Sequence, residues 1–420
     1  MAVPMLYLVA GARPNFMKLA PMVRALERRS DALAYRIVHT GQHYDREMSD
    51  VFFEELGIPK PDHHLGAGGG THAQQTAKVM VAFEELCQSE RPAAVVVVGD
   101  VNSTLACSIV AKKLGIPVAH VEAGLRSGDM AMPEEINRLV TDAISDWFFV
   151  TEPSGEANLL REGKRPEAVH YVGHVMVDNV LYQREALSRA PLSEGVSLAF
   201  KQAHARYGVV TLHRPSNVDD AEVFARIASA LREVSETLPL AFPVHPRTRS
   251  NLEKFGIDLG PRVALLPPLA YMEFLNLWKD TAVMLTDSGG LQEETTALGV
   301  PCVTLRTNTE RPVTVTDGTN VLVGTDRDLI VEAVRKVLAG DGKQGRRPHL
   351  WDGQAADREH GGEHDRGSKA DGGVAATDSR AAGCAAVCEF VSDSIRRRVH
   401  WWDASFGSSR QLCWVQRSHS

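Results

Sequence analysis

The sequence predicts an α/β protein built from two doubly wound, parallel-sheet domains. Short apolar runs alternate with helix-like segments over the first 340 residues, and the alternation restarts near residue 207. The runs themselves are near-continuous Val, Ile and Leu. Such runs suit strands covered on both faces, as in parallel sheets, and strand–helix–strand repetition argues for βαβ units.

The first series of strands reads "MLYLVA", "YRIVH", "AAVVVVGD", "PVAHVE", "WFFVT" and "AVHYVG", with helical segments such as "NFMKLAPMVRALERR" and "NSTLACSIVAKKLG" between them. The second reads "YGVVTLH", "AFPVH", "VALLP", "AVMLTD", "PCVTL" and "NVLVG". Between the series, "VMVDNVLYQREALSRAPLSEGVSLAFKQAHAR" is mostly helical, with Pro and Ser/Gly punctuation around 190–196. The boundary is therefore placed near 175–195, giving a first domain over 1–180 and a second over 195–345. Two such domains bind ligand in the cleft between them, at the carboxyl ends of their strands. Residues 346–420 form a tail. From Glu359 onward it is rich in Gly, Ser, Arg, His and Asp and has no periodicity, a composition that predicts disorder.

A chain of 420 residues is long enough for two real cores. A net charge of −7 gives no reason to expect nucleic acid as a partner, so an anionic ligand needs a local site. No segment approaches the roughly 18–20 apolar residues of a membrane span. The N-terminal "MAVPMLYLVAGARP" lacks a basic n-region and a cleavage-like site, and reads as a first strand. Cys87, Cys107 and Cys302 sit in apolar surroundings, as reduced thiols of a cytoplasmic protein do.

The chemistry-bearing residues follow strands. "VAGARPNFMKLAP" sets Arg13 and Lys18 beyond the first strand and lacks the GxGxxG fingerprint, so no dinucleotide cofactor is expected. "VVVVGDVNSTLA" delivers Asp100, as a helix cap or as a cleft carboxylate. "VAHVEAGLRSGD" delivers Glu122. "MPEEINRLVTDAISDWFF" opens a helix at Pro133, with Glu134 and Arg138 four apart on one face and Ile136, Leu139, Val140 and Ala143 on the other. Three carboxylates at strand or helix ends of one domain argue against independent surface charges. In the second domain His213 and His245 end strands, and Arg311 precedes a Pro in a loop. The turn Ser288-Gly289-Gly290 opens a helix that would accept phosphate at its backbone N–H groups. Glu294, one turn along, is placed to accept from two ribose hydroxyls, whereas Glu293 reads as a solvated helix-start charge. His360, His364, Cys384 and Cys388 imitate a zinc set but have the wrong spacing and no strand scaffold; no metal is expected.

These motifs, in this order, resemble the non-hydrolysing UDP-N-acetylglucosamine 2-epimerases. The matching stretches are "GARPNFMKLAP", "HTGQHYD", "GDVNSTLA", "HVEAGLRS", "MPEEINR", "HRPSNVD", "PVHPRT", "LTDSGGLQEE" and "TERPVTVTDGTN", and the likeness runs from residue 5 to about 357. The resemblance implies a GT-B-like architecture, two Rossmann-like domains facing a central cleft, with UDP held mainly by the second. It implies nucleotide contacts from Arg13, His245, Ser288, Gly289, Gly290, Glu294 and Arg311. It puts Lys18, Asp100, Glu122, Glu134, Arg138 and His213 around the sugar. It further implies a homodimer, and in some members UDP-N-acetylglucosamine as an activator, here near Gln42 and His43. Val101 stands where Thr is usual. A larger departure follows "RRPHLWDGQAADR", where a packing helix is replaced by "EHGGEHDRGSKADGG". A reading-frame change near residue 358 would account for it and leave a tail encoding no native structure.

The C2 proton of an N-acetyl sugar has no adjacent carbonyl, so direct abstraction leaves an unsupported carbanion. Without a dinucleotide to oxidise C3, the remaining route is elimination of UDP to a glycal and its re-addition. That route needs cations for the departing diphosphate, here Arg13 and Arg311. It also needs acid–base groups for the two faces of C2, drawn from Asp100, Glu122 and Glu134, with crowding expected to raise one carboxyl toward neutrality. Four alternatives remain open on sequence: a UDP-2,3-diacetamido-2,3-dideoxyglucuronate 2-epimerase, a GT-B glycosyltransferase, a hydrolysing relative, and an inactive UDP-binding product damaged by its tail.

Overall fold

In the computed structural model, which describes residues 3–28, 33–42, 52–343, 345, 387, 390 and 391, the twelve apolar runs all form parallel strands. The first sheet holds β1 (Met5–Ala10), β2 (Ala34–His39), β3 (His63–His64), β4 (Ala94–Val98), β5 (Val118–Val121), β6 (Trp147–Val150) and β7 (Val169–Tyr171), in the order β3-β2-β1-β4-β5-β6-β7. The second holds β8 (Gly208–Thr211), β9 (Leu240–Pro243), β10 (Val263–Leu266), β11 (Val283–Thr286), β12 (Cys302–Thr304) and β13 (Asn320–Leu322), in the order β10-β9-β8-β11-β12-β13. The two-residue edge strand β3 is too short to leave a periodic signal.

Strand order reverses between β1 and β4 in one sheet and between β8 and β11 in the other. Ligands of open α/β sheets bind at such switch points, beyond the carboxyl ends of the strands. Arg13 and Lys18 follow β1, Asp100 follows β4, His213 follows β8 and Ser288 follows β11. This is the GT-B-like arrangement of two doubly wound domains across a cleft.

The helix Val175–Arg189 joins the domains, packing on the helix Arg13–Glu27 of the first and the helix Gly289–Leu298 of the second. One apolar core runs through this junction, from Leu8, Phe16 and Phe149 through Val177 and Val180 to Leu275, Trp278 and Met284. The relative position of the domains therefore rests on buried apolar packing. Among the described residues, no helix is long and apolar enough to cross a membrane.

The helix Pro133–Ile144 turns its polar side inward, burying Glu135, Asn137, Arg138, Thr141 and Asp142. Its apolar side faces out, with Ile136 43% and Val140 37% exposed. The reason is that the helix lies over strand-end loops whose carboxylates and backbone groups need partners. Of the tail, Val387, Phe390 and Val391 are described. They are helical, the two valines are buried, and Phe390 packs on Trp147, Phe149 and His170. The expectation of a tail without structure does not extend to these three residues.

Candidate active site

The cleft encloses about 1040 Å³. Its first-domain wall carries Arg13, Lys18, Asp100, Glu134 and Arg138, and its second-domain wall carries His213, Ser288, Gly289, Gly290, Glu294 and Arg311.

On the first-domain side Asp100, Glu122 and Glu135 are each held by groups from another element. Asp100 is ion-paired with Arg138, whose Nε also donates to Glu135 Oε2 at 3.0 Å. Arg138 thus pairs with Asp100 and with Glu135 three residues back, and Glu134 lines the cleft instead of closing the expected four-residue pair. Glu135 in turn accepts from the backbone N–H groups of Ser127 and Gly128, at 3.0 and 2.9 Å. Asn137 Nδ2 donates to the Asp100 carbonyl at 2.8 Å. The turn after β4 is fixed by a buried pair: His120 Nδ1 lies 2.7 Å from Asp142 Oδ1, and His120 Nε2 lies 2.8 Å from the Gly99 carbonyl.

Glu122 lies just beneath the cleft wall and is 2% exposed. Lys18 Nζ donates to its Oε2 at 2.5 Å, while Oε1 has no hydrogen-bond partner among the described residues. Its φ of 64° is a left-handed conformation that a non-glycine residue adopts at a cost of about 1–3 kcal/mol. Among the described non-glycine residues this φ is the only positive one. The backbone N–H groups of Glu122 and Ala123 both donate to the Phe149 carbonyl, at 3.0 and 3.2 Å, and hold the turn.

The second domain supplies the anion end. The helix Gly289–Leu298 has Ser288 as N-cap with no side-chain cap bond, so its first N–H groups face the cleft with the positive end of the helix dipole. A Cβ on Gly289 would lie 2.6 Å from Glu310 Oε1 and 3.0 Å from Arg311 Nη1, so those side chains occupy the space above it. His213 is half exposed, with Nδ1 2.9 Å from Asp287 Oδ1. Burial would raise the Asp287 carboxyl, but His213 and the backbone N–H groups of Arg214 and His213 outweigh burial and hold it low.

Arg311 is 6% exposed and surrounded by carboxylates: Nε is 2.5 Å from Glu293, Nη1 2.7 Å from Glu310 and Nη2 3.9 Å from Glu122. Arg306 also donates to Glu310, at 2.9 Å, and Arg214 lies 3.9 Å from it. Three guanidiniums, of Arg214, Arg306 and Arg311, therefore meet the carboxylates of Glu293, Glu310 and Asp287 at this end of the cleft. Arg214 and Arg306, absent from the sequence expectations, both line it.

Glu293 is 1% exposed and not a solvated charge. It is bound by His174 Nε2, which donates to Oε1 at 2.6 Å, and by Arg311. Burial would raise its carboxyl, but Arg311 and His174 bring it down to about 2. Glu294 lines the cleft with Tyr271 Oη 3.4 Å away; burial, then the neighbouring Glu293, push it up to about 8. Glu152, equally buried, is pushed up to about 7 by burial and then Glu293. Glu294 and Glu152 are thus raised to near neutrality, and burial also raises the Glu55 carboxyl.

His245 does not line the cleft. It is exposed and caps the helix Pro246–Phe255, its Nδ1 accepting from Arg247 N at 3.3 Å. Gln42 Oε1 accepts from Ser103 Oγ at 3.0 Å, and its carbonyl from Gln75 Nε2 at 3.5 Å. Asn102 bridges Gln75 to Asn137, which holds Asp100. His43, His360, His364, Cys384 and Cys388 lie outside the described residues.

Comparison with known proteins agrees with the two-domain fold. A UDP-N-acetylglucosamine 2-epimerase of Methanocaldococcus jannaschii is 42% identical over 359 residues, covering 81% of this chain and 97% of that protein. A crystal structure of UDP-GlcNAc 2-epimerase from the same organism, in complex with UDP-GlcNAc and UDP, matches at 41% identity with a TM-score of 0.74, covering 81% of this chain and 94% of that one. A UDP-2,3-diacetamido-2,3-dideoxy-D-glucuronate 2-epimerase of Pseudomonas aeruginosa is also 42% identical, over 80% of this chain and 94% of that protein. The family profile described as UDP-N-acetylglucosamine 2-epimerase matches residues 24–360, and with that match the chain belongs to the UDP-N-acetylglucosamine 2-epimerase family.

Proposed function

We propose that this protein interconverts UDP-N-acetylglucosamine and UDP-N-acetylmannosamine. The observation that carries the reading is the division of the cleft. Asp100, Glu134, Lys18 and Arg138 line one wall, with Glu122 just behind. A helix N-terminus flanked by Arg214, Arg306 and Arg311, with buried Glu294, lines the other. The second wall takes the nucleotide: backbone N–H groups at Gly289 and Gly290, with Ser288, Arg214 and Arg306, bind diphosphate with Arg13 reaching it from the first wall, and Glu294 accepts from the ribose hydroxyls. Arg311 balances buried carboxylates and supports this end from behind.

The first wall does the chemistry. The C1–O bond breaks with its electron pair going to UDP, and a first-wall carboxylate takes the C2 proton, leaving the C1=C2 double bond of a glycal. A proton then returns to C2 on the opposite face as a UDP oxygen re-forms the bond to C1. Asp100 and Glu122 are the proton partners, with Glu134 beside them and His213 facing them across the cleft. Incubating the protein with UDP-N-acetylglucosamine in D₂O tests this. UDP-N-acetylmannosamine carrying deuterium at C2 is the expected NMR result, and a folded, UDP-binding protein that forms none would overturn it.

A second reading, the same epimerisation of UDP-2,3-diacetamido-2,3-dideoxyglucuronate, is supported by the Pseudomonas relative and by Arg214, a cleft-lining cation that could meet a sugar carboxylate. The assay run with both nucleotide sugars separates the two.

Glu294 makes UDP binding proton-linked. Its carboxyl is held up to about 8 in the ligand-free protein, so at pH 7 it carries a proton. Two ribose O–H donors favour the carboxylate and pull that value down, so binding releases a proton. Calorimetry of UDP binding at pH 7 in buffers of different ionisation enthalpy is expected to report release approaching one proton, and Glu294→Gln to remove it. Linkage also sets the ligand-free stability. A carboxyl raised on folding contributes its full stability below the ordinary carboxylate range and loses it as pH rises through about 8.

The homodimer belongs to this reading and is supported by the outward apolar side of Ile136 and Val140 with exposed Met130 and Val81; light scattering after gel filtration tests it. Cytoplasmic residence is supported by the free, buried Cys87, Cys107 and Cys302. Activation by a second UDP-N-acetylglucosamine near Gln42 is supported by the polar chain from Gln42 to Asp100.

A further inference from the structure

We infer that His174 and Glu293 are positioning residues that hold Arg311 beside Glu122 and so couple the interdomain helix Val175–Arg189 to the chemistry. The inference rests on the epimerase reading and adds residues to it.

His174 is the N-cap of the interdomain helix Val175–Arg189 and is fully buried. Glu293 belongs to the second domain, 119 residues away, yet its Oε1 accepts from His174 Nε2 at 2.6 Å. The same oxygen lies 2.5 Å from Arg311 Nε. Nη1 donates to Glu310 at 2.7 Å, Nε is held by the charge of Glu293 and not by an aligned hydrogen bond, and Nη2 lies 3.9 Å from Glu122 Oε2. Lys18 completes the line from the other side, 2.5 Å from the same Glu122 oxygen. A continuous row of alternating charges therefore runs from the interdomain helix through the second domain to a first-domain carboxylate and its lysine: His174, Glu293, Arg311, Glu122, Lys18.

The row is buried along its length, where Coulomb interactions are least screened. Burial would discharge His174, but Glu293, then Glu122 and Glu152, outweigh it and favour the imidazolium. Glu293 Oε2 has no hydrogen-bond partner among the described residues, so its bound oxygen is the one that both cations share. An oxygen shared by two cations ties the place of one to the other, and the loss expected on breaking such a pair is about 10- to 100-fold in activity, the size that outer partners of metal-ligating side chains show. The same contacts join the interdomain helix, the second domain and a first-domain carboxylate, so the row is complete only in this relative arrangement of the domains.

The test is a double-mutant cycle on turnover and on UDP affinity. Glu293→Gln keeps the shape and removes the charge; His174→Gln keeps a donor and removes the imidazolium. Each is expected to lower kcat by about 10- to 100-fold, with the Kd for UDP within about threefold of wild type and KM little changed. The double variant H174Q/E293Q is expected to fall no further than the worse single variant, since the pair acts as a unit. It also keeps the cycle decisive if Glu293→Gln alone does not fold, because it removes both buried charges together. Losses that multiply, losses confined to UDP affinity, or a folded variant within twofold of wild-type kcat would overturn the inference. Wild-type turnover in the same assay reports on the epimerase reading separately.

Discussion

Asp100→Asn and Glu122→Gln are each expected to lower turnover by at least about a hundredfold while UDP still binds. A hundredfold is about 2.7 kcal/mol of transition-state stabilisation, within reach of a lost proton-transfer group and beyond a lost surface charge. Asp100 lines the cleft with its side chain 27% exposed, pinned by Arg138. Removing the carboxylate while keeping its size leaves Arg138 with Glu135, so the fold is preserved and the loss falls on chemistry. Glu122 is held in a left-handed backbone conformation, with one oxygen on Lys18 and the other unpartnered among the described residues. A strained, buried carboxylate with a vacant acceptor is stabilised for something other than folding. The amide of Gln can still accept from Lys18 through its oxygen, but it is not basic enough to take the C2 proton and puts an NH₂ group in place of the unpartnered carboxylate oxygen. The readouts are NMR turnover, deuterium at C2 and UDP affinity by calorimetry. Both variants near wild-type rate would remove these residues from the chemistry. Glu134→Gln is expected to follow them in direction.

Much of this arrangement was legible in the sequence because it is local. The strands announce themselves as apolar runs, and Arg13, Lys18, Asp100, Glu122 and His213 follow them directly, so a doubly wound reading brings them to one end of each sheet. What was illegible depends on partners far away in the chain. Glu293, in the first turns of a helix, has the look of a solvated charge; it is buried because His174 and Arg311 arrive from other elements to pair with it. Arg311 looked free to meet a diphosphate, and only the folded chain surrounds it with Glu293, Glu310 and Glu122. The helix Pro133–Ile144 misleads for a related reason. Four-residue spacing made Glu134 and Arg138 a natural pair, but Asp100, 38 residues earlier, competes for the arginine and wins. His245 errs in the opposite direction: it ends a strand as expected, and then caps its own helix.

Arg311→Met is expected to be among the most destabilising substitutions in the ligand-free protein, by about 3–5 kcal/mol near neutral pH. The side chain's own burial is not the reason, since methionine fills much of the same volume. The cost comes from Glu293 and Glu310, 1% and 4% exposed, which lose their main compensating charge and cannot return to water without opening the domain junction. The pH dependence distinguishes this cause from a packing defect. In the wild type Glu293 is held down to about 2 against burial, by Arg311 and then His174, and Glu310 is held lower by Arg311 and then Arg306. Carboxyls depressed on folding contribute stability that is fully present above the ordinary carboxylate range and is lost as pH falls toward those depressed values. In the variant the same carboxyls, left to burial, shift upward and take up protons at mild acidity. The difference in urea midpoint between wild type and variant is therefore expected to be greatest at pH 7–8 and to shrink steadily below about pH 4, where the stranded carboxyls are neutral and the wild-type pairs are weakening. A difference constant with pH would assign the loss to packing. Arg311→Lys is expected to fall between the two: one ammonium supplies the charge but cannot span Glu293, Glu310 and Glu122 as a planar fork does. It should recover much of the stability and little of the turnover, because the nitrogen beside Glu122 is the one that lysine cannot replace.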